Sequence, residues 1–215
     1  MRELSMHILD LAQNSIVASA TLIEIDVTAD SASDTFKIAI RDNGRGMSPE
    51  FLARVRDPFT TTRTTRRVGL GIPMFAEAAQ ACDGGLTVES QVGKGTSVEA
   101  TFRLSHIDRA PLGDIAATLI ALIAANPDID IVYRQQVIIG HPELDSGSTS
   151  IRHPELDSGS TSVRHPELDS GSTCAAEFTL DTREIKSQLA GVPINENAVL
   201  KWLGEYIAEH APRSL

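Results

Sequence analysis

The sequence predicts an α/β fold: a two-layer α/β sandwich followed by a small C-terminal α+β unit. Three observations carry that expectation. Leu4, Ile8, Leu11 and Ser15 recur at the spacing of one helix face. Thr21 to Thr28 (TLIEIDVT) and Thr35 to Arg41 alternate apolar and polar residues, as strands of a half-buried sheet do. The elements then run α-β-β-α-loop-α-β-β, an order that one sheet with helices on one face accommodates.

The first helix is expected over residues 2–20, where Asp10 and Asn14 lie four apart and point the same way. Ser48-Pro49-Glu50 starts the next helix, with Ser as cap and Pro in the first turn. Asp57 to Val68 (DPFTTTRTTRRV) has no apolar period and reads as a polar loop holding Arg63, Arg66 and Arg67. A helix over Gly71 to Cys82 follows, then strands Leu86 to Gln91 and Thr96 to Leu104 around the turn at Val92 to Gly95.

After about Ser105 the pattern predicts a smaller unit, 105–215, in the order α-β-β-α-α. Its elements are a helix Leu112 to Ala125, strands Ile129 to Tyr133 and Glu177 to Leu180, and helices Thr182 to Leu189 and Glu196 to Glu209. Trp202, Leu203, Tyr206 and Ile207 are expected to pack one face of the last helix. Between the two strands, residues 141–173 hold three near-identical copies of HPELDSGST with a period of twelve. Each copy has too few large apolar residues to offset an ordering entropy of about 1–2 kcal/mol per residue. The repeat is therefore expected to be a disordered loop. Lengthening a hairpin loop by that much costs the host domain only about 2 kcal/mol.

Composition narrows the function. A net charge of −10 argues against general nucleic-acid binding, which needs surplus Lys and Arg. The two cysteines, Cys82 and Cys174, have neither disulfide-framework nor zinc spacing. No secretory signal and no apolar run of about 20 residues occurs, so a cytoplasmic protein without membrane spans is expected.

Four short runs carry chemistry. DNGRGM, from Asp42 to Met47, puts a carboxylate and then Gly-x-Gly at the end of a strand, where one acceptor can face a flat ligand. Gly69-Leu70-Gly71 opens a helix behind the arginine-rich loop, and helix N-termini bind anions. Asn14 offers one amide oxygen to a Mg²⁺ that keeps other oxygens from phosphates and water. Asp10, one turn earlier, can orient or deprotonate a water. Gly93 to Thr96 (GKGT) is the fourth run. No GxxxxGK[ST] sequence occurs, which excludes the P-loop.

In this order the four runs resemble the GHKL (Bergerat-fold) ATPases: gyrase, the large heat-shock chaperone, histidine kinases and mismatch-repair ATPases. The resemblance covers about residues 4–104, expected as an ATP-binding domain over 1–104, and DPFTTT resembles the lid segment of histidine kinases. It implies Mg²⁺ held by Asn14, the adenine amine received by Asp42, base approach at Gly44, Gly46 and Met47, and support of that contact by Thr96. It also implies phosphate contacts from Gly69, Leu70 and Gly71, and γ-phosphate contacts from Arg63, Arg66 or Arg67. Hydrolysing members carry Glu where this chain has Asp10, so slow hydrolysis is expected. The phosphoacceptor hairpin of histidine kinases has no counterpart here, and His7 reads as structural.

The whole chain resembles a stand-alone, histidine-kinase-like ATP-binding class, with SHIDRAPLGD and TLDTREIK in its C-terminal part. Three functions stay open: an ATP-dependent switch or slow ATPase acting on a protein partner, a kinase phosphorylating His or Ser of a partner in trans, and a non-catalytic ATP-binding regulatory module. The resemblance also allows a homodimer.

Overall fold

The alternation in the sequence becomes burial on one side of a sheet. In a computed structural model, which describes residues 3–56, 71–139 and 174–212, strand β1 (Leu22–Asp30) buries Ile23, Ile25, Val27 and Ala29. Strand β2 (Thr35–Asp42) buries Phe36, Ile38 and Ile40 against the same core. The two pair antiparallel around a turn in which the Asp30 carboxylate accepts from the Ala32 N–H at 2.9 Å and the Ser33 hydroxyl at 2.8 Å.

Helix α1 (Leu4–Val17) lays Leu4, Ile8 and Leu11 on that apolar face. Helix α2 (Pro49–Arg56) and helix α3 (Gly71–Gln80) follow. Pro73 fits the first turn of α3 because those N–H groups have no helical partner in any case. Strands β3 (Gly85–Gln91) and β4 (Gly95–Arg103) complete the expected order, with β4 antiparallel to β2.

The remaining elements are helix α4 (Ile115–Ala125), strands β5 (Asp130–Ile139) and β6 (Cys174–Asp181), helix α5 (Thr182–Gln188) and helix α6 (Asn197–His210). Asp114 caps α4, accepting from the Ala117 N–H at 2.8 Å. The sequence reading set residues 105–215 apart as a smaller unit. In the structure their two strands extend the same sheet, whose order is β3-β4-β2-β1-β5-β6. Strand β5 runs parallel to β1, with Ile25 opposite Tyr133, and Leu119, Ile123, Leu203 and Ile207 join the core that α1 and β1 already build. The physical reason is that β1 needs a partner on its second edge, and β5 supplies it.

Strand β5 is longer than its apolar run suggested. Arg134-Gln135-Gln136 looks like a strand end, yet each of the first two has a partner. Gln135 is buried, accepting from the Tyr133 hydroxyl at 2.8 Å and donating to the Pro212 carbonyl at 2.7 Å. Arg134 lies on the open face of the sheet, 3.0 Å from both Glu24 and Asp26. That face also carries Arg41 paired with Asp26, and Lys37 with Glu99 at 2.8 Å. Such exposed pairs are worth about 0–1 kcal/mol each. They keep the uncovered face polar rather than hold the fold together.

The last helix differs from expectation. Leu203 and Ile207 are buried, but Trp202 is 51% exposed and stacks on Tyr206, with ring centroids 5.3 Å apart. Residues three and four apart share the buried stripe, and Trp202, one residue before Leu203, turns away from it. The tandem repeat lies outside the described residues, between Ile139 and Cys174, which pair across the β5–β6 ladder. No helix among the described residues is long and apolar enough to cross a membrane.

Candidate functional site

Strand β2 places its side chains alternately, so after Ile38 and Ile40 the next residue on the helix-covered face is Asp42. A carboxylate thus stands where the core ends. Its oxygens are held from three elements. The Ser15 hydroxyl of α1 donates to Oδ2 at 2.7 Å, and the N–H groups of Gly44 and Thr96 donate to Oδ1 at 2.9 and 3.2 Å. Donors fixed in this way set the orientation of the carboxylate before any ligand arrives.

Asp42 forms part of the wall of a cavity of about 340 Å³. Leu11, Ile40, Met47, Phe51, Ile72 and Val98 make its apolar sides, and Asn14, Ser15 and Thr96 add polar atoms. Largely apolar walls with a few placed polar groups are what a flat heteroaromatic ligand needs, and the volume falls in the range of small-molecule sites.

The turn after Asp42 is fastened at several points. The side-chain oxygen of Asn43 accepts from the N–H groups of Thr21 and Leu22 at 2.8 and 2.9 Å, and its amide donates to the Thr21 hydroxyl at 2.8 Å. Gly46 has φ +66°, and a Cβ there would come within 2.0 Å of the Gln91 carbonyl oxygen. Gly95 has φ +108°, and its Cβ would stand 1.8 Å from the backbone oxygen of Asp42. Both glycines are therefore required by backbone packed on backbone, which brings the DNGRGM and GKGT runs together.

Thr96 lies opposite Asp42 in the β2–β4 register. Its backbone N–H, rather than its hydroxyl, meets the carboxylate. The hydroxyl pairs with Ser90 Oγ at 2.9 Å, while Ser90 donates to the Gly95 carbonyl at 2.9 Å and accepts from the Met47 N–H at 2.9 Å. With the Ser90 proton on Gly95, the Thr96 proton goes to Ser90, and Thr96 Oγ1 is left an acceptor.

Asn14, which lines the cavity, sits with Asp10 beside the start of α3. A Cβ placed on Gly71 would lie 3.4 Å from Asp10 Cβ and 3.8 Å from Asn14 Nδ2. The first residue of a helix, with its unpaired N–H groups, thus abuts the Asp-x-x-x-Asn pair. Among the described residues no group of three or more His, Cys, Asp or Glu could hold a metal alone. A Mg²⁺ drawn to Asn14 would take most of its oxygens from phosphates and water. Arg63, Arg66, Arg67, Gly69 and Leu70 lie outside the described residues.

His7 is buried, and its ring stacks on Phe75 of α3 with centroids 4.9 Å apart. Its Nδ1 has no hydrogen-bond partner. Burial pushes its pKa down, the N-terminal charge adds to that, and Asp10 opposes it. Sequence reasoning assigned no site role to Ser15, Asn43 or Ser90. Ser15 did leave a signal, as the one hydroxyl on an otherwise apolar stripe. Ser90 left none, because its partners come from two other turns.

A carboxylate at the end of a sheet strand, an apolar slot beside it, and a helix start next to an Asp-x-x-x-Asn pair define an α/β nucleotide-binding domain of the histidine-kinase-like type. Residues 2–106 belong to the family described as histidine kinase-, DNA gyrase B-, and HSP90-like ATPase, whose model matches that stretch. That match, with the similarity to sensor kinases, supports ATP binding by this domain.

The chain is 38% identical over 108 residues to the sensor protein kinase FleS of Pseudomonas aeruginosa, covering 50% of this chain and 26% of that protein. It is 30% identical over 125 residues to the non-motile and phage-resistance protein of Caulobacter vibrioides, covering 54% of this chain and 15% of that one. It thus spans about a quarter or less of these relatives' length. The Aquifex aeolicus MutL ATPase domain complexed with ADP aligns with a TM-score of 0.40 and 14% identity, over 63% of this chain and 60% of that one.

Proposed function

We propose that this chain binds Mg-ATP between α1, β2 and α3 and works as a nucleotide-dependent switch or slow ATPase on a protein partner. The observation that carries the reading is the Asp42 carboxylate, held by Ser15, Gly44 and Thr96 beside an apolar slot. An ionised carboxylate only accepts, so it selects a ligand edge that donates, as the adenine amine does. Thr96 Oγ1, left an acceptor, favours the same edge. Met47 lies along the base, and Gly46 of the same turn lines the slot. At the far end, Asn14 offers its amide oxygen to Mg²⁺, and the N–H groups at Gly71 face phosphate. Bound ATP supplies the γ-phosphoryl group and Mg²⁺ neutralises its charge. Gly69, Leu70 and the arginines at 63, 66 and 67 extend the phosphate contacts in this reading.

Asp10 stands beside the start of α3, and in this reading it acts as the base toward a water at the γ-phosphate. It is one C–C bond, about 1.5 Å, shorter than Glu. A misplacement on the order of 1 Å costs about 10²-fold in rate, so hydrolysis is slow. A kinase acting in trans on His or Ser of a partner is the second reading. The 38% identity to a sensor protein kinase favours it.

Incubation of the purified protein with γ-labelled ATP, with and without candidate partners, separates the readings. Free phosphate supports the slow ATPase, and label on a partner supports the kinase. Intact bound ATP in both arms would leave a non-catalytic module and refute both. Asp10→Asn should spare ATP binding and abolish phosphate release; an unchanged rate would remove Asp10 from the mechanism.

A further inference from the structure

The sheet has two edges, and they are not alike. At one, helix α2 packs against β3. At the other, β6 pairs with β5 alone among the described residues. An edge strand turns alternate N–H and C=O groups outward, where a further strand can take them. Proteins commonly blunt such an edge with Lys, Pro, a bulge or a very short strand. Strand β6 (CAAEFTLD) is 8 residues long, has neither Lys nor Pro, and keeps an unbroken register with β5.

A second feature meets the same strand. Phe178 of β6 and Tyr206 of α6 have ring centroids 5.8 Å apart, and Trp202 stacks on Tyr206. Trp202 is the sole tryptophan of the chain, and half of it is exposed. An exposed Trp resting on a Tyr has the composition of an interface anchor rather than of a solvated helix face.

We propose that β6 is a docking edge for a second copy of this chain, whose own β6 adds antiparallel so that one sheet runs through both copies, with Trp202 and Tyr206 anchoring the helix side. Symmetry and side-chain direction select the register. A two-fold axis perpendicular to the sheet keeps both sets of helices on one side, so core-face residues oppose core-face residues. Centring the axis on Glu177 would set Glu177 against Glu177 of the second copy. Centring it on Thr179 would set Glu177 against Asp181 of the second copy. Like charges directly opposite are destabilising. Centring on Phe178 avoids both: Phe178 opposes Phe178, Ala176 opposes Leu180, and Glu177 opposes Thr179. Thr179 in turn lies opposite Arg134 on β5, so the row on the open face runs carboxylate, Thr, cation. That self-complementarity favours a second copy over an unrelated extended peptide. The cavity lies beyond β1, against β2 and β4, so the proposal does not depend on what the cavity binds.

The test is sedimentation velocity of the full chain from about 1 to 100 μM, where wild type should pass from monomer to dimer. Glu177→Lys puts a Lys on the edge and a cation in the row of Arg134, and Trp202→Ala removes the aromatic anchor. Each should weaken the dimer at least about tenfold. Glu177 and Trp202 are both exposed, so the melting temperatures of the variants at the lowest concentration should stay close to wild type. Amide hydrogen exchange gives a second readout: alternate amides of β6 should gain protection as wild type is concentrated and stay exchangeable in the variants. Should Glu177→Lys fail to fold, Trp202→Ala and the exchange pattern decide. A wild-type chain still monomeric at about 100 μM would overturn the proposal. So would a dimer that the substitutions leave unchanged, or one whose β6 amides gain no protection.

Discussion

Asp42→Asn isolates what one carboxylate does. The amide oxygen can keep the two N–H donors of Gly44 and Thr96, at 2.9 and 3.2 Å. The amide nitrogen then faces Ser15 Oγ, which now donates to Oδ2 at 2.7 Å. Ser15 can turn its proton to the Leu11 carbonyl, already 3.3 Å away, and accept from the new amide. The fold therefore survives the substitution. What disappears is an ionised acceptor facing the ligand. A hydrogen bond to a charged group contributes about 1.5–3 kcal/mol, so affinity should fall about ten- to a hundredfold. The new N–H₂ also opposes the donating amine of adenine and suits a ligand with a carbonyl at that position. Titration calorimetry with ATP and inosine triphosphate reads both effects. ATP binding should weaken by at least about tenfold, and the preference for ATP over inosine triphosphate should shrink. A folded Asp42→Asn protein that binds ATP within about threefold of wild type would refute the base-edge assignment.

Other consequences follow from the same geometry. His7 is buried with a lowered pKa, so the unfolded chain binds its proton more readily than the folded one. Stability should be level above the unfolded value of about 6.5 and decline as pH falls below it; urea titrations of wild type and His7→Leu between about pH 5 and 7.5 should show the slope only in wild type. Gly95→Ala would place a methyl 1.8 Å from the Asp42 backbone oxygen at a φ of +108°. It should lower stability by about 2–4 kcal/mol and disturb nucleotide binding, read by thermal melting with and without ATP. Leu203→Ala, at a fully buried position, should cost about 2–5 kcal/mol, while Trp202→Ala should cost under about 1 kcal/mol because half of that side chain is already in water.

The amino-acid order alone determined the helices and strands from α1 to β4 among the described residues, and it singled out Asp10, Asn14, Asp42 and Thr96 as candidates, because both are local signals. A period-two alternation names the face a strand buries, so Asp42 after Ile38 and Ile40 could be placed at the end of the core face from the sequence. Glycines at 46 and 95 were visible as turn residues. The structure decided what crosses between elements. Ser15, Ser90 and Asn43 act on groups far along the chain, through hydrogen bonds to Asp42, to Met47, and to Thr21 and Leu22. Such bonds leave no periodic trace in sequence. Nor could local pattern reveal that β5 docks parallel to β1, which turns the expected appendage into the last two strands of one six-stranded sheet. Parallel pairing joins residues about a hundred positions apart, and its hydrogen bonds are backbone to backbone, indifferent to side chain. The composition of β5 hid its own length for a related reason. Gln135 and Arg134 are polar, and only the tertiary structure supplies the Tyr133 hydroxyl, the Pro212 carbonyl, Glu24 and Asp26 that let them stay in a strand.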